Sequence, residues 1–381
     1  MPLSPVLAEQ STYPFVRLEE AKHRKAAEGV RIIDFGMGDP RGVPEEPIRR
    51  ALAEALEAAS GYPAAQGLPE LRQAIAGWLS RRFGVSIDPD RAVVPTLGSK
   101  EAIFSFAQIA VDRAAGKDLV LVPDPGYPVY ERGAQFAGAI VETMPLLAHA
   151  GFLPDLDAIE PDVWRRSAVV WVNYPNNPTT ATASPEFLGR LAELAREHDF
   201  YLCSDEAYSE LWFESPPHSA LEAGAENVVV FNTLSKRSSM TGYRSGFVAG
   251  DERAIEALKK FRPTVGTAPQ LFVQRASIVA WGDEAHVERN RERYRRRREP
   301  FVKFFARKGL ALRGAPATMY LWLEVPQDET SEGFAARLLE HGIVVAPGSH
   351  LGRHGEGYVR FALVPPEEEC DAAVEILDRV L

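Results

Sequence analysis

Five polar side chains, Asn177, Asp205, Tyr208, Lys236 and Arg244, each lie just beyond a short apolar run or just before one. A lysine amine can bond covalently to a carbonyl carbon and then shuttle a proton, provided that its reference pKa of about 10.4 is lowered. A carboxylate, an amide and a phenol nearby can hold a charged or polar ligand, and an arginine can grip a phosphate or carboxylate. Taken singly, each residue has a plainer role. Asp205 fits a helix or turn cap, Arg244 and Arg360 fit surface ion pairs, and Asn173 and Asn177 beside prolines fit turns. Tyr127 and Tyr62, taken one at a time, fit packing.

Joint placement argues otherwise. The runs 119–122, 168–172, 200–204, 228–232 and 246–249 are short and continuously apolar, as strands buried on both faces are. Helical periods alternate with them from about residue 45, at 47–59 (Ile48, Leu52, Leu56 and Ala59 on one face) and at 69–83, closed by Gly84. This alternation predicts an α/β fold, a mainly parallel sheet sandwiched by helices. Ligands of such sheets bind beyond the strands' carboxyl ends. The run 168–172 leads into Asn173 and Asn177, 200–204 into Asp205 and Tyr208, and 228–232 into Thr233, Ser235 and Lys236. Gly98-Ser99-Lys100 opens an apolar helical run at 102–111, a setting for a phosphate on backbone N–H groups. After about residue 280 the pattern changes to a long charged helix, then 320–325, 334–340, 343–345, 358–364 and a terminal helix. A division follows: 1–44 as an arm and part of a small domain, 45–280 as a large domain, and 281–381 as a smaller α+β domain.

Bulk properties narrow the function. A formal charge of −10 argues against nucleic acid as partner, since phosphate backbones are met by clustered Lys and Arg. The run 289–298 is the exception, and its interruption by Glu292 points to a solvated helix face rather than an anion patch. Two cysteines, Cys203 and Cys370, supply neither a disulfide framework nor zinc spacing, so no metal is expected, and Cys203 reads as a core residue. No apolar run approaches the roughly 18 residues of a membrane span, and the N-terminus lacks a basic, then apolar, leader. A cytoplasmic enzyme is expected.

The ordered set of motifs resembles the class I/II aminotransferases of the fold-type I pyridoxal-phosphate enzymes over nearly the whole chain. The resemblance implies pyridoxal 5′-phosphate carried as a Schiff base on Lys236, with Asp205 against the pyridine nitrogen and Tyr208 and Asn177 on the phenolic oxygen. It implies that Tyr127 stacks on the ring and that Gly98, Ser99, Lys100, Thr233, Ser235 and Arg244 surround the phosphate. Tyr62 then reaches in from a second subunit, so a homodimer is expected. Arg360 would grip the substrate's α-carboxylate, with Gly38 and Tyr13 beside it. Where the family commonly has Asn-Pro-Thr-Gly, this chain has Thr180, which alters the φ/ψ open to that turn.

Amino acids and 2-oxo acids are the implied substrates. A β-eliminating carbon–sulfur lyase would use the same cofactor set, and a ligand-sensing regulator would need a fused DNA-binding region, for which the stretch before Tyr13 is too short. The segments Tyr13-Pro-Phe15, Gly38-Asp39-Pro40 and 62–72 resemble the diaminopimelate-pathway aminotransferases. The members acting on LL-diaminopimelate usually have Glu where this chain has Ala65, and Asn at Thr267. A free distal ammonium thereby loses an acidic partner, which points to N-succinyl-LL-diaminopimelate with 2-oxoglutarate. Aspartate or alanine, with broad specificity, is the alternative.

Overall fold

The computed structural model describes residues 4–9, 14–266 and 268–381, so Tyr13 and Thr267 lie outside the described residues. Its centre is a seven-stranded sheet. Across the sheet the strands run Val93–Thr96, Gly246–Gly250, Val228–Thr233, Tyr201–Asp205, Ser167–Asn173, Leu119–Asp124 and Ile140–Pro145. Gly246–Gly250 is antiparallel to both neighbours, and the remaining pairs are parallel. The predicted mainly parallel α/β sheet is therefore present. Its one reversed strand starts at the edge where the parallel strands end, so Gly246 pairs with Thr233 and the preceding Arg244 stays at that edge.

All six residues of Val228–Thr233 are buried, because helices cover both faces. On one face Trp78, Phe247 and Trp281 pack together; on the other, Phe106, Trp171 and Phe231 do. Cys203 is fully buried, and burial pushes its thiol well up from the ordinary range, as suits a core residue.

Helix Pro69–Phe83 ends on Gly84, whose φ of 69° lets its N–H reach the Ser80 carbonyl. The helix expected over 47–59 is shorter, Glu46–Glu54, and of its proposed apolar face only Ile48 is buried. Leu56 is 58% exposed on the loop that follows, so the described residues give it no buried face on which the helix could continue.

A second sheet of four antiparallel strands, in the order Ala346–Pro347, Tyr358–Ala362, Tyr320–Glu324 and Leu312–Gly314, lies with a separate core of Phe35, Phe301, Phe305, Phe361 and Leu377. The early strand Ile33–Asp34 joins this part by pairing with Ile343–Val344.

The arginine row belongs to helix Ala285–Lys308 and differs from the solvated face expected of it. Arg291 lies 4.1 Å over the Trp212 ring and donates to the Glu210 carbonyl. Arg295, Arg297 and Arg298 donate to the carbonyls of Phe213, Leu363 and Ala315. Arg289 and Arg293 pair with Glu45. Phe301, Phe304 and Phe305 sink the helix into the core, and this brings the guanidinium groups onto loop ends whose carbonyls need donors.

Candidate active site

Parallel strands ending together bring their last residues to one rim, and a cavity of about 640 Å³ opens there. Asn177, Asp205, Tyr208, Thr233, Ser235 and Lys236 line it from three consecutive strand ends. Ser99, Lys100, Tyr127 and Arg244 close one side, and Gly38 and Arg360 the other. Gly98 stands behind Arg244: a Cβ on Gly98 would fall 2.6 Å from Arg244 Nη2, and its φ of +73° also favours glycine. Tyr62 is fully exposed and lies outside the cavity of its own chain.

Asp205 ends its strand and is buried. Its Oδ2 accepts from the Tyr130 hydroxyl at 2.7 Å and its Oδ1 from the Ala207 N–H at 3.2 Å. Burial nevertheless outweighs these bonds and pushes the carboxyl up to about 6. Lys236 sits in a single helical turn capped by Thr233, whose Oγ1 accepts from the Ser235 N–H. The Lys236 amine donates to the Gly38 carbonyl at 2.6 Å. Burial lowers this amine to about 8; Asp39 opposes the shift, while Arg360 and Arg244 add to it. From behind, Asn290 donates to the carbonyls of Lys236 and Arg237, tying the turn to helix Ala285–Lys308.

Arg360 is central to its antiparallel sheet, with Trp322 and Ala346 as cross-strand partners. Its Nη1 donates to Asn177 Oδ1 at 2.7 Å and its Nη2 to the Gly36 carbonyl at 2.9 Å. Asn177 is held in turn by its own N–H, which donates to Asn173 Oδ1. Thr180 adopts φ +66°, so the turn keeps the left-handed conformation suited to glycine while carrying a β-branched side chain. The Asn176 side chain fastens this turn, accepting from the Thr179 N–H and hydroxyl and donating to the Asn173 carbonyl.

Tyr130, Asp39 and Tyr320 are among the site's residues that escape a reading of the sequence. Tyr130 stands in the first turn of helix Val129–Phe136, just after Tyr127, and the two rings meet edge to face at 5.7 Å. Asp39 and Tyr320 also line the cavity. Asp39 follows Gly38 directly, whereas Tyr320 carries no local signal, since it arrives from the second sheet.

This donor set fits one kind of group: a carbonyl carbon for the amine, a basic ring nitrogen for the buried carboxylate, and an anionic tail for Ser99, Ser235 and Arg244. The sequence model of the class I and II aminotransferases matches residues 30–377. The chain belongs to this family. It is thus an aminotransferase of the fold-type I architecture that uses pyridoxal 5′-phosphate, acting between amino acids and 2-oxo acids. An LL-diaminopimelate aminotransferase from Aquifex aeolicus (strain VF5) is 40% identical over 370 residues, covering 95% of each chain. Among solved structures, a probable N-succinyldiaminopimelate aminotransferase from Thermus thermophilus is 33% identical, with a TM-score of 0.88 over 96% of this chain and 100% of that one. A single mutant of the Thermus thermophilus aspartate aminotransferase is 31% identical, with a TM-score of 0.93 over 100% of both chains. No helix among the described residues is long and apolar enough to cross a membrane.

Proposed function

We propose that this aminotransferase takes its amino group from a diaminopimelate-type donor in the N-succinyl form and passes it to 2-oxoglutarate, a step of lysine biosynthesis. The convergence of Lys236, Asp205 and Arg360 on one cavity carries the amino-transfer chemistry. When bound, pyridoxal 5′-phosphate supplies the carbonyl carbon and a ring that takes up the electron pair left at the substrate's Cα.

The residues divide the remaining work. Lys236, with its amine lowered to about 8, is a base suited to moving the Cα proton near neutral pH. Asp205 keeps the ring nitrogen protonated, and the same charge relieves the cost of the carboxylate's burial. Asn177 accepts from Arg360 through Oδ1, which leaves its Nδ2 as the donor to the ring's phenolic oxygen, beside the Tyr208 hydroxyl. Tyr127 stacks on the ring. Gly98, Ser99, Lys100, Thr233, Ser235 and Arg244 hold the phosphate, and the Arg360 fork and Gly38 take the α-carboxylate. Tyr62, exposed on its loop, completes the phosphate site of a second copy, so the working unit is a homodimer. The large and small parts meet across this cavity, with divisions near residues 44 and 280.

The succinyl form is supported by the loop 61–68, which holds Ala65 and no acidic side chain, and by likeness to the Thermus thermophilus N-succinyldiaminopimelate protein. A second reading, free LL-diaminopimelate, is favoured by the name of the Aquifex aeolicus relative at 40% identity. A panel of amino donors with 2-oxoglutarate separates the two. N-succinyl-LL-diaminopimelate should have the highest kcat/KM, and Ala65→Glu should move preference toward the unmodified diamine. The succinyl reading is lost if the wild-type enzyme prefers the diamine, and both are lost if aspartate or alanine outruns the two.

A further inference from the structure

Tyr320 belongs to the second sheet, paired with Ala362, yet its side chain crosses to the large sheet's rim. It is 2% exposed, and its hydroxyl lies 2.9 Å from the Tyr208 hydroxyl. The Arg360 guanidinium carbon sits 4.4 Å from the centroid of the same ring. On a third side the hydroxyl presses on Gly38, where a Cβ would fall 2.2 Å away. The backbone on either side is tied down too. The Tyr320 N–H donates to Thr318 Oγ1, and the Thr318 N–H donates to the Leu211 carbonyl in the turn that follows Tyr208.

We propose that Tyr320 is a positioning residue with two separable functions: its hydroxyl orients and polarises Tyr208 at the cofactor end, and its ring seats Arg360 at the substrate-carboxylate end. The inference rests on the reading of Tyr208 as a hydrogen-bond donor to the cofactor's phenolic oxygen. A hydroxyl has one proton to give. If Tyr208 spends its proton on the cofactor, the bond between the two phenols must run from Tyr320 to Tyr208. Donation into Tyr208 makes its own proton a better donor, since hydrogen bonds in a chain strengthen one another in a low-dielectric site. The aromatic face, separately, offers the guanidinium a cation–π seat that leaves its N–H fork free to be aimed by Asn177 and the Gly36 carbonyl.

Two substitutions in the holoenzyme separate these functions. Tyr320→Phe removes the hydroxyl and keeps the ring. The pH at which the bound cofactor's visible absorption titrates should rise by about half a unit, a threefold change comparable to one neutral hydrogen bond, while donor KM stays within twofold. Tyr320→Leu removes both, and donor KM should then rise about fivefold or more. Tyr208→Phe should raise the titration midpoint by itself, and Tyr208→Phe/Tyr320→Phe should raise it no further, because the second hydroxyl acts only through the first.

If Tyr208→Phe leaves the midpoint unmoved, the reading of Tyr208 fails. If Tyr208→Phe moves it but Tyr320→Phe does not, or if the two shifts add, the inference about Tyr320 fails while that reading stands. An unchanged KM in a folded Tyr320→Leu enzyme overturns the ring's function, and a donor KM raised more than twofold in Tyr320→Phe does the same. The hydroxyl's function is read from the phenylalanine variants, so it is decided even when the leucine variant does not fold.

Discussion

Replacing Asp205 by Asn should stabilise the cofactor-free protein while crippling the enzyme. The buried carboxylate accepts, among the described residues, from the Tyr130 hydroxyl and the Ala207 N–H. Its folded-state pKa is pushed up to about 6 from an ordinary 3.8. At roughly 1.36 kcal/mol per pH unit, keeping it ionised costs about 3 kcal/mol at pH 8. The sign follows from proton counting. Between about pH 4 and pH 6 the folded state holds more protons than the unfolded chain, so stability falls as pH rises through that window and stays low above it. Asn is neutral throughout and keeps one acceptor oxygen for these donors. Thermal melts of cofactor-free wild type and Asp205→Asn at pH 5 and pH 8 should therefore differ by about half as much at the lower pH, which lies midway through that window. At the higher pH the variant should be ahead by about 1–3 kcal/mol, several degrees in Tm. Adding pyridoxal 5′-phosphate should reverse the order, because the wild type alone gains a charge-assisted bond to the ring nitrogen, worth about 1.5–3 kcal/mol. A cofactor-free Asn variant that melts below wild type at pH 8 would refute the reasoning.

Arg360→Lys keeps a charge but loses the fork held by Asn177 and the Gly36 carbonyl. KM should rise by a similar factor for every amino donor, about 10- to 150-fold for a loss of 1.5–3 kcal/mol; a penalty confined to one donor would mean that Arg360 meets the distal end. Thr180→Gly relieves a left-handed β-branched residue, at about 1–2 kcal/mol, against a glycine entropy cost of about 0.5–1 kcal/mol. Its urea midpoint should stay level or rise slightly with activity retained, and a clear drop would show that the Thr180 side chain contributes packing. Mixing Tyr62→Phe with Lys236→Ala subunits should yield hybrid dimers whose activity differs from that of either parent, measured after separation of the species. A fully active monomer at micromolar concentration argues against shared sites.

Much of the site is legible in the sequence because chemistry in a parallel sheet gathers at strand ends, and strand ends are visible as places where an apolar run turns polar. Asn177, Asp205, Tyr208 and Lys236 stand out in that way. The arginine row misleads because alternation with Glu292 looks the same in sequence whether the guanidinium groups face water or cap the carbonyls of distant loops. Helix 47–59 reads too long for a related reason: Leu56 fits a helical period, but a period needs a partner surface, and among the described residues Leu56 stays largely uncovered.

The amino-acid sequence by itself determined the sheet and the order of the chemical groups along it, since these depend on local pattern and chain order, and the resemblance of its motifs to a known family implied the cofactor. Only the tertiary structure decided how the groups are held. Tyr130 reaches Asp205 across 75 positions, Asn290 holds Lys236 across 54, and Tyr320 joins Tyr208 to Arg360 from another sheet. Contacts of that kind carry no periodic signal. They exist because helix packing and strand register bring remote side chains to hydrogen-bond distance, where burial makes each partner necessary.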